Sequence, residues 1–160
     1  MNAKPDTPVL RTVQHATFTV ERIYDAPAAL TYSAWADPAR TARWFGGTPG
    51  EWDLEIRDFD FRVGGRERLR GRWKNGTVSD FQATYYDILP EQRIMWVYDM
   101  YIDSRRISVS LATAMFKTEG GKTRLTYTEQ GAFLDGYDDA GSRERGTRVL
   151  LERVSESLKV

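Results

Sequence analysis

The stretch GGRERLRGRWKNGTVSDFQATYYDIL, residues 64–89, decides the fold. Basic side chains fall at every second position, Arg66, Arg68, Arg70, Arg72 and Lys74, while Glu67, Leu69, Gly71 and Trp73 fill the positions between. A period of two is the signature of a β-strand, whose successive side chains point to opposite faces. Asn75-Gly76 then supplies a strong short hairpin signal, and VSDFQATYYDIL resumes as the returning strand. Two antiparallel strands are therefore expected. One face is cationic, and the other carries a carboxylate among apolar groups.

Working outward, the same grammar repeats. EWDLEIRDFDF places Trp52, Leu54 and Ile56 on one face before Gly64-Gly65 breaks it. Pro90 to Arg93 turns the chain into IMWVYDMYI, Asp103-Ser104 into RRISVSLATAMF, and Gly120-Gly121 into KTRLTYTEQ. At the N-terminal side, Ala16, Phe18 and Val20 alternate with polar residues as another strand. Asp25 and Pro27 are expected to open a short helix carrying Trp35. Asp37-Pro38 opens a second helix, carrying Trp44 and Phe45, before Gly46-Gly47 ends it. From about Ser142 the period changes to that of a helix: Arg143, Thr147, Leu150, Leu151, Val154 and Leu158 share one face. Gly146 is expected to let this helix approach the sheet closely. The order predicts an α+β fold, a curved antiparallel sheet of about six or seven strands with two short helices and one long C-terminal helix across it.

Composition narrows the function. At 160 residues, one domain is expected, residues 13–160, behind a flexible polar tail over residues 1–12. Twenty-three basic and 23 acidic residues cancel, which argues against a nucleic-acid partner, so the arginine stripe is expected to be a solvated face paired with nearby acids. With no cysteine and one histidine, His15, thiolate chemistry and histidine-cluster metal centres are excluded, and neither metal nor cofactor is expected. Asp138 and Asp139 fit helix capping better than metal ligation. The N-terminus lacks an apolar signal core and no long apolar run occurs, so no membrane association is expected and a cytoplasmic location is.

Four segments resemble a known family: VERIYDAPAALTYSAWADPARTARWF, DFRVGGRERLRG, ATYYDILPEQRIMW and GKTRLTYTEQGAFLDGYDDAGSRERGTRVLLERVSESL. Their order resembles the helix-grip fold of the START-like, or SRPBCC, superfamily, and within it bacterial proteins similar to the activator of heat-shock-protein ATPase. The resemblance implies a cavity between the concave sheet face and the long helix. It supplies no catalytic residue set.

Alternation turns Trp73, Phe81, Tyr85, Trp96 and Tyr98 toward that cavity, and Trp35, Trp44 and Phe45 join them from the short helices. Phe133 in the loop FLDGYDDAG, with Arg143 and Thr147 on the long helix, completes the candidate binding residues. Glu67 shares a face with Leu69 and Trp73, and Glu129 follows Leu125 and Tyr127 toward the cavity mouth, where relatives often carry histidine. Each carboxylate is either a salt-bridged structural group or a general base. Arg143 is expected to meet Glu129 at the mouth and to clasp it or receive an anionic ligand group. The expected function is binding of a small, largely apolar or amphipathic molecule with a carbonyl, hydroxyl or carboxylate handle. A cyclase- or hydrolase-type enzyme using Glu129 or Glu67 is one alternative, and a co-chaperone-like interaction module is another. A homodimer is compatible with all three.

Overall fold

A computed structural model describes residues 10–159. Seven strands, β1 (Val13–Tyr24), β2 (Trp52–Phe59), β3 (Arg66–Trp73), β4 (Val78–Leu89), β5 (Arg93–Ile102), β6 (Arg105–Glu119) and β7 (Lys122–Leu134), form one antiparallel sheet in the order β1-β7-β6-β5-β4-β3-β2. Helices α1 (Ala28–Ala36) and α2 (Pro38–Thr41) lie between β1 and β2, and α3 (Ala140–Ser157) closes the chain. This is the helix-grip arrangement expected from the sequence. Residues 1–9 of the expected tail lie outside the described residues. Where its end is described, Arg11 and the Thr12 amide bind the Asp135 carboxylate at 3.1 and 2.9 Å.

Turn chemistry explains the meander. At the β3–β4 hairpin the Trp73 amide donates to the Thr77 carbonyl, and Gly76 takes the left-handed conformation (φ 90°) that closes a three-residue loop. Asp103 and Ser104 adopt positive φ between β5 and β6.

Several boundaries differ from expectation for local physical reasons. Pro27, not Asp25, occupies the cap position of α1, and no side chain caps it. Trp44 and Phe45 follow α2 rather than belonging to it. Asp139 caps α3 by accepting the Ser142 amide at 2.9 Å, so the helix starts at Ala140. In β2 a bulge between Leu54 and Ile56 inserts one residue, and Ile56 pairs with Arg70 on the outer face. The inward positions therefore pass to Arg57 and Phe59, which pair with Leu69 and Glu67.

The core concentrates at one end of the sheet. Val20, Ile94, Leu125, Leu151 and Val154 are buried there, and the Tyr24 hydroxyl donates to the Leu151 carbonyl at 2.8 Å. Each such aliphatic side chain contributes about 1.5–3 kcal/mol by leaving water. Trp44 braces the short helices by donating its indole N–H to the Ala34 carbonyl at 2.8 Å. Leu151 and Val154 of α3 thus sit on the sheet, whereas Gly146, Thr147 and Leu150 face a cavity. A Cβ at Gly146 would meet nothing within 4 Å, so the expected close backbone approach does not occur there.

Candidate functional site

The cavity between sheet and α3 has a volume of about 520 Å³. All five tryptophans, Trp35, Trp44, Trp52, Trp73 and Trp96, contribute to its wall. Phe45, Phe81, Tyr85, Tyr98, Arg143 and Thr147 line it too, as the alternation and the helix pattern place them. Phe133 does not: it is buried behind the wall, its ring centroid 5.3 Å from the Arg143 guanidinium carbon.

Trp52, Tyr127 and Arg153 also line the cavity, although none was among the expected binding residues. Trp52 had a readable signal in Gly71. A glycine inside a strand marks a close approach, and a Cβ there would stand 1.9 Å from the Trp52 ring. Arg153 reaches from α3 to the Gly46 carbonyl at 2.9 Å, joining the helix to the loop after α2.

Glu129 and Arg143 meet, but the carboxylate is not at the mouth. Glu129 is wholly buried, behind the wall, because its strand continues inward-facing through Gly131 and Phe133 rather than ending there. Its Oε2 accepts from the Tyr98 hydroxyl (2.8 Å), Ser110 (2.8 Å) and Arg143 Nη1 (3.2 Å), and its Oε1 from the Tyr127 hydroxyl (2.7 Å). Arg143 also donates to the Tyr98 oxygen (2.8 Å), Ser108 (2.7 Å) and Asp138 (3.1 Å). Burial weighs against its charge. The pull of Tyr98, Glu129 and Asp138 outweighs burial and raises its pKa above the ordinary guanidinium value.

Glu67 does line the cavity, and it is paired. Arg57 Nη1 donates to its Oε2 at 2.9 Å, and the Tyr85 hydroxyl donates to Oε1. The Arg57 guanidinium lies over the rings of Phe45 and Phe59. Burial first, and the neighbouring carboxylate second, push Tyr85, Tyr98 and Tyr127 well above the usual phenol range. Their protons stay in place at neutral pH.

On the outer face, the arginine stripe is matched by acids. Arg68 forks onto Asp80 at 3.1 and 2.8 Å, and Arg70 and Arg72 share Glu55 at 3.2 Å each. His15 is exposed on β1. Among the described residues no helix is long and apolar enough to cross a membrane.

Comparison with known proteins agrees with this architecture. A family model described as "Activator of Hsp90 ATPase homolog 1-like protein" matches residues 25–160. The solved structure of the Mll3558 protein from Rhizobium loti is 43% identical, with 91% of this chain and 99% of that one covered and a TM-score of 0.84. An uncharacterized protein from Rhizobium leguminosarum is 39% identical over 94% of this chain and 98% of its own, with a TM-score of 0.89. An AHSA1-like protein from Aeromonas hydrophila, 20% identical with a TM-score of 0.70 over 90% of this chain and 92% of its own, shares the fold. The comparison with curated proteins gives no match. With its family model spanning α1 to α3 and the helix-grip sheet in place, this chain belongs to the Activator of Hsp90 ATPase homolog 1-like family of the START-like superfamily.

Proposed function

We propose that this protein is a cytoplasmic bacterial binding protein for a small, largely apolar molecule, held between the sheet and α3. The observation that carries this is the cavity of about 520 Å³ walled by all five tryptophans. Burying large aromatic side chains against one another would stabilise the fold more than leaving space among them, so an open aromatic chamber is costly unless something fills it. At about 30 Å³ for each water-sized group, it has room for roughly seventeen such groups, the scale of a two- or three-ring molecule.

The carboxylates weigh against the catalytic alternative. Glu129 has four donors on its two oxygens, and Glu67 holds Arg57 and Tyr85. A general base needs a lone pair within reach of substrate. Glu129 lies behind the wall, outside the cavity lining, and Glu67, which does line it, keeps only the lone pairs that Arg57 and Tyr85 leave.

N-phenyl-1-naphthylamine, a neutral fluorescent molecule of about the right size, provides the test. Its emission should rise saturably at one site per chain. Gly146→Leu, which points new bulk into open space at the cavity, should weaken that binding about tenfold, while a helix-interior glycine replaced by leucine gains up to about 1 kcal/mol of stability. A non-saturable response, or equal binding by the variant, would move the choice to the interaction-module alternative suggested by the family's name.

A further inference from the structure

The direction of the tyrosine protons in the cavity wall restricts what a ligand can offer there. Arginine only donates and a carboxylate only accepts. Tyr98 lies between the two, so its single proton goes to Glu129 and its oxygen accepts from Arg143. Tyr127 gives its proton to Glu129, and Tyr85 gives its proton to Glu67. All three tyrosines line the cavity, and each can meet a ligand with an oxygen lone pair alone.

Arg143 looks from the sequence like the anion receptor, but its partners take four of its five hydrogens. Its two Nη1 hydrogens go to Tyr98 and Glu129, and its two Nη2 hydrogens go to Ser108 and Asp138. The Nε hydrogen is left over among these contacts, but a ligand carboxylate could grip the Nη fork only by displacing one of them. The local charges point the same way: Arg57 balances Glu67, whereas Arg143 faces both Glu129 and Asp138. The inner cluster keeps one negative charge in excess. Arg153, about 15 Å further along α3 and bonded to the Gly46 carbonyl, is the cation an acid would reach instead, away from the three tyrosine oxygens.

We infer that the tyrosine end of the cavity takes an apolar ring system whose polar group donates hydrogen bonds, an alcohol, phenol or amine, in preference to the corresponding ether and carboxylic acid. This rests on the cavity being the binding site, and it replaces the carbonyl or carboxylate handle expected from the sequence. The aromatic walls favour an amine further, because ring faces attract a cation.

A single-scaffold competition series against N-phenyl-1-naphthylamine tests the inference: 1-methylnaphthalene, 1-naphthylmethanol, 1-naphthylmethylamine, 1-(methoxymethyl)naphthalene and 1-naphthoic acid. The alcohol and the amine should bind about tenfold more tightly than the methyl ether, the worth of one satisfied hydrogen bond. The acid should be weakest, on the order of a hundredfold below the alcohol, because at the tyrosine end its charge leaves water beside a cluster that is already negative. Tyr85→Phe or Tyr127→Phe should erase the preference for alcohol over ether. An ether equal to the alcohol, or an acid that binds tightest, overturns the inference while leaving the cavity as the binding site. A preference that survives in both tyrosine variants overturns the assignment to these oxygens. If neither the probe nor any member of the series binds, the proposed function falls and the inference with it.

Discussion

Replacing Arg143 with leucine should be among the most damaging single changes in the protein. The substitution leaves Glu129, wholly buried, with three hydroxyl donors and no cation. Removing one partner of a buried ion pair costs about 3–5 kcal/mol, because the other charge stays out of water. For a chain of this size that is roughly 6–20 °C in Tm, at about 2–4 °C per kcal/mol. Arg148 provides the contrast: its pair with Glu144 is 43% and 35% exposed, and Arg148→Ala should cost no more than about 1 kcal/mol. Adding Glu129→Gln to Arg143→Leu removes the stranded charge. The double variant should then be more stable than the sum of the two single losses predicts, by about 1–3 kcal/mol. Urea unfolding followed by tryptophan fluorescence measures all four variants. An Arg143→Leu cost as small as that of Arg148→Ala, or strictly additive losses, would refute the account of this cluster.

Three further outcomes follow from the same geometry. Tyr24, Tyr85, Tyr98 and Tyr127 are pushed up by burial, so their neutral-form stability is complete below about pH 10 and lost as pH rises through their folded values; phenolate absorbance should show them ionising together with alkaline unfolding rather than before it. Burial opposes the charge on Asp80, but Arg68, Gln82 and Arg70 outweigh it and hold its pKa below the usual aspartate value. Its contribution is therefore present above about pH 3.9 and lost as pH falls through the folded value, and Asp80→Asn should flatten the acid limb of a stability-against-pH curve. Leu151→Ala, on the packed face of α3, should cost about 2–5 kcal/mol, whereas Leu150→Ala, facing the cavity, should cost about 1 kcal/mol by urea midpoint.

Much of this was legible in the chain because period two and period 3.6 report directly on which face is wet. The alternation of Glu67, Leu69, Gly71 and Trp73 against five cations placed β3 correctly, and the same logic brought Trp96, Tyr98 and Tyr127 to the inner face. What escaped was whatever depended on a count that local pattern cannot supply. One inserted residue in β2 reversed the face of Ile56 and brought Arg57 inward to Glu67. Whether Glu129 sat at the rim or in the interior depended on how far β7 runs under α3, which the strand's own alternation does not state. The standing-off of α3 at Gly146 and Leu150 depends on the bulk of aromatic rings arriving from seven other segments. Fold was readable residue by residue, whereas hydrogen-bond direction inside the cavity needed the partners in place.

The most direct test uses the five indole N–H signals, since every tryptophan lines the cavity. Two-dimensional nuclear magnetic resonance during titration with 1-naphthylmethanol reads where the molecule goes. The account predicts saturable movement of indole signals, with amides of Gly146, Thr147 and Leu150 shifting in step. Outward-facing Val97 and Val109 should be the least affected. Unmoved indoles, or shifts concentrated on the outer sheet face, would contradict the claim that this cavity is a binding site.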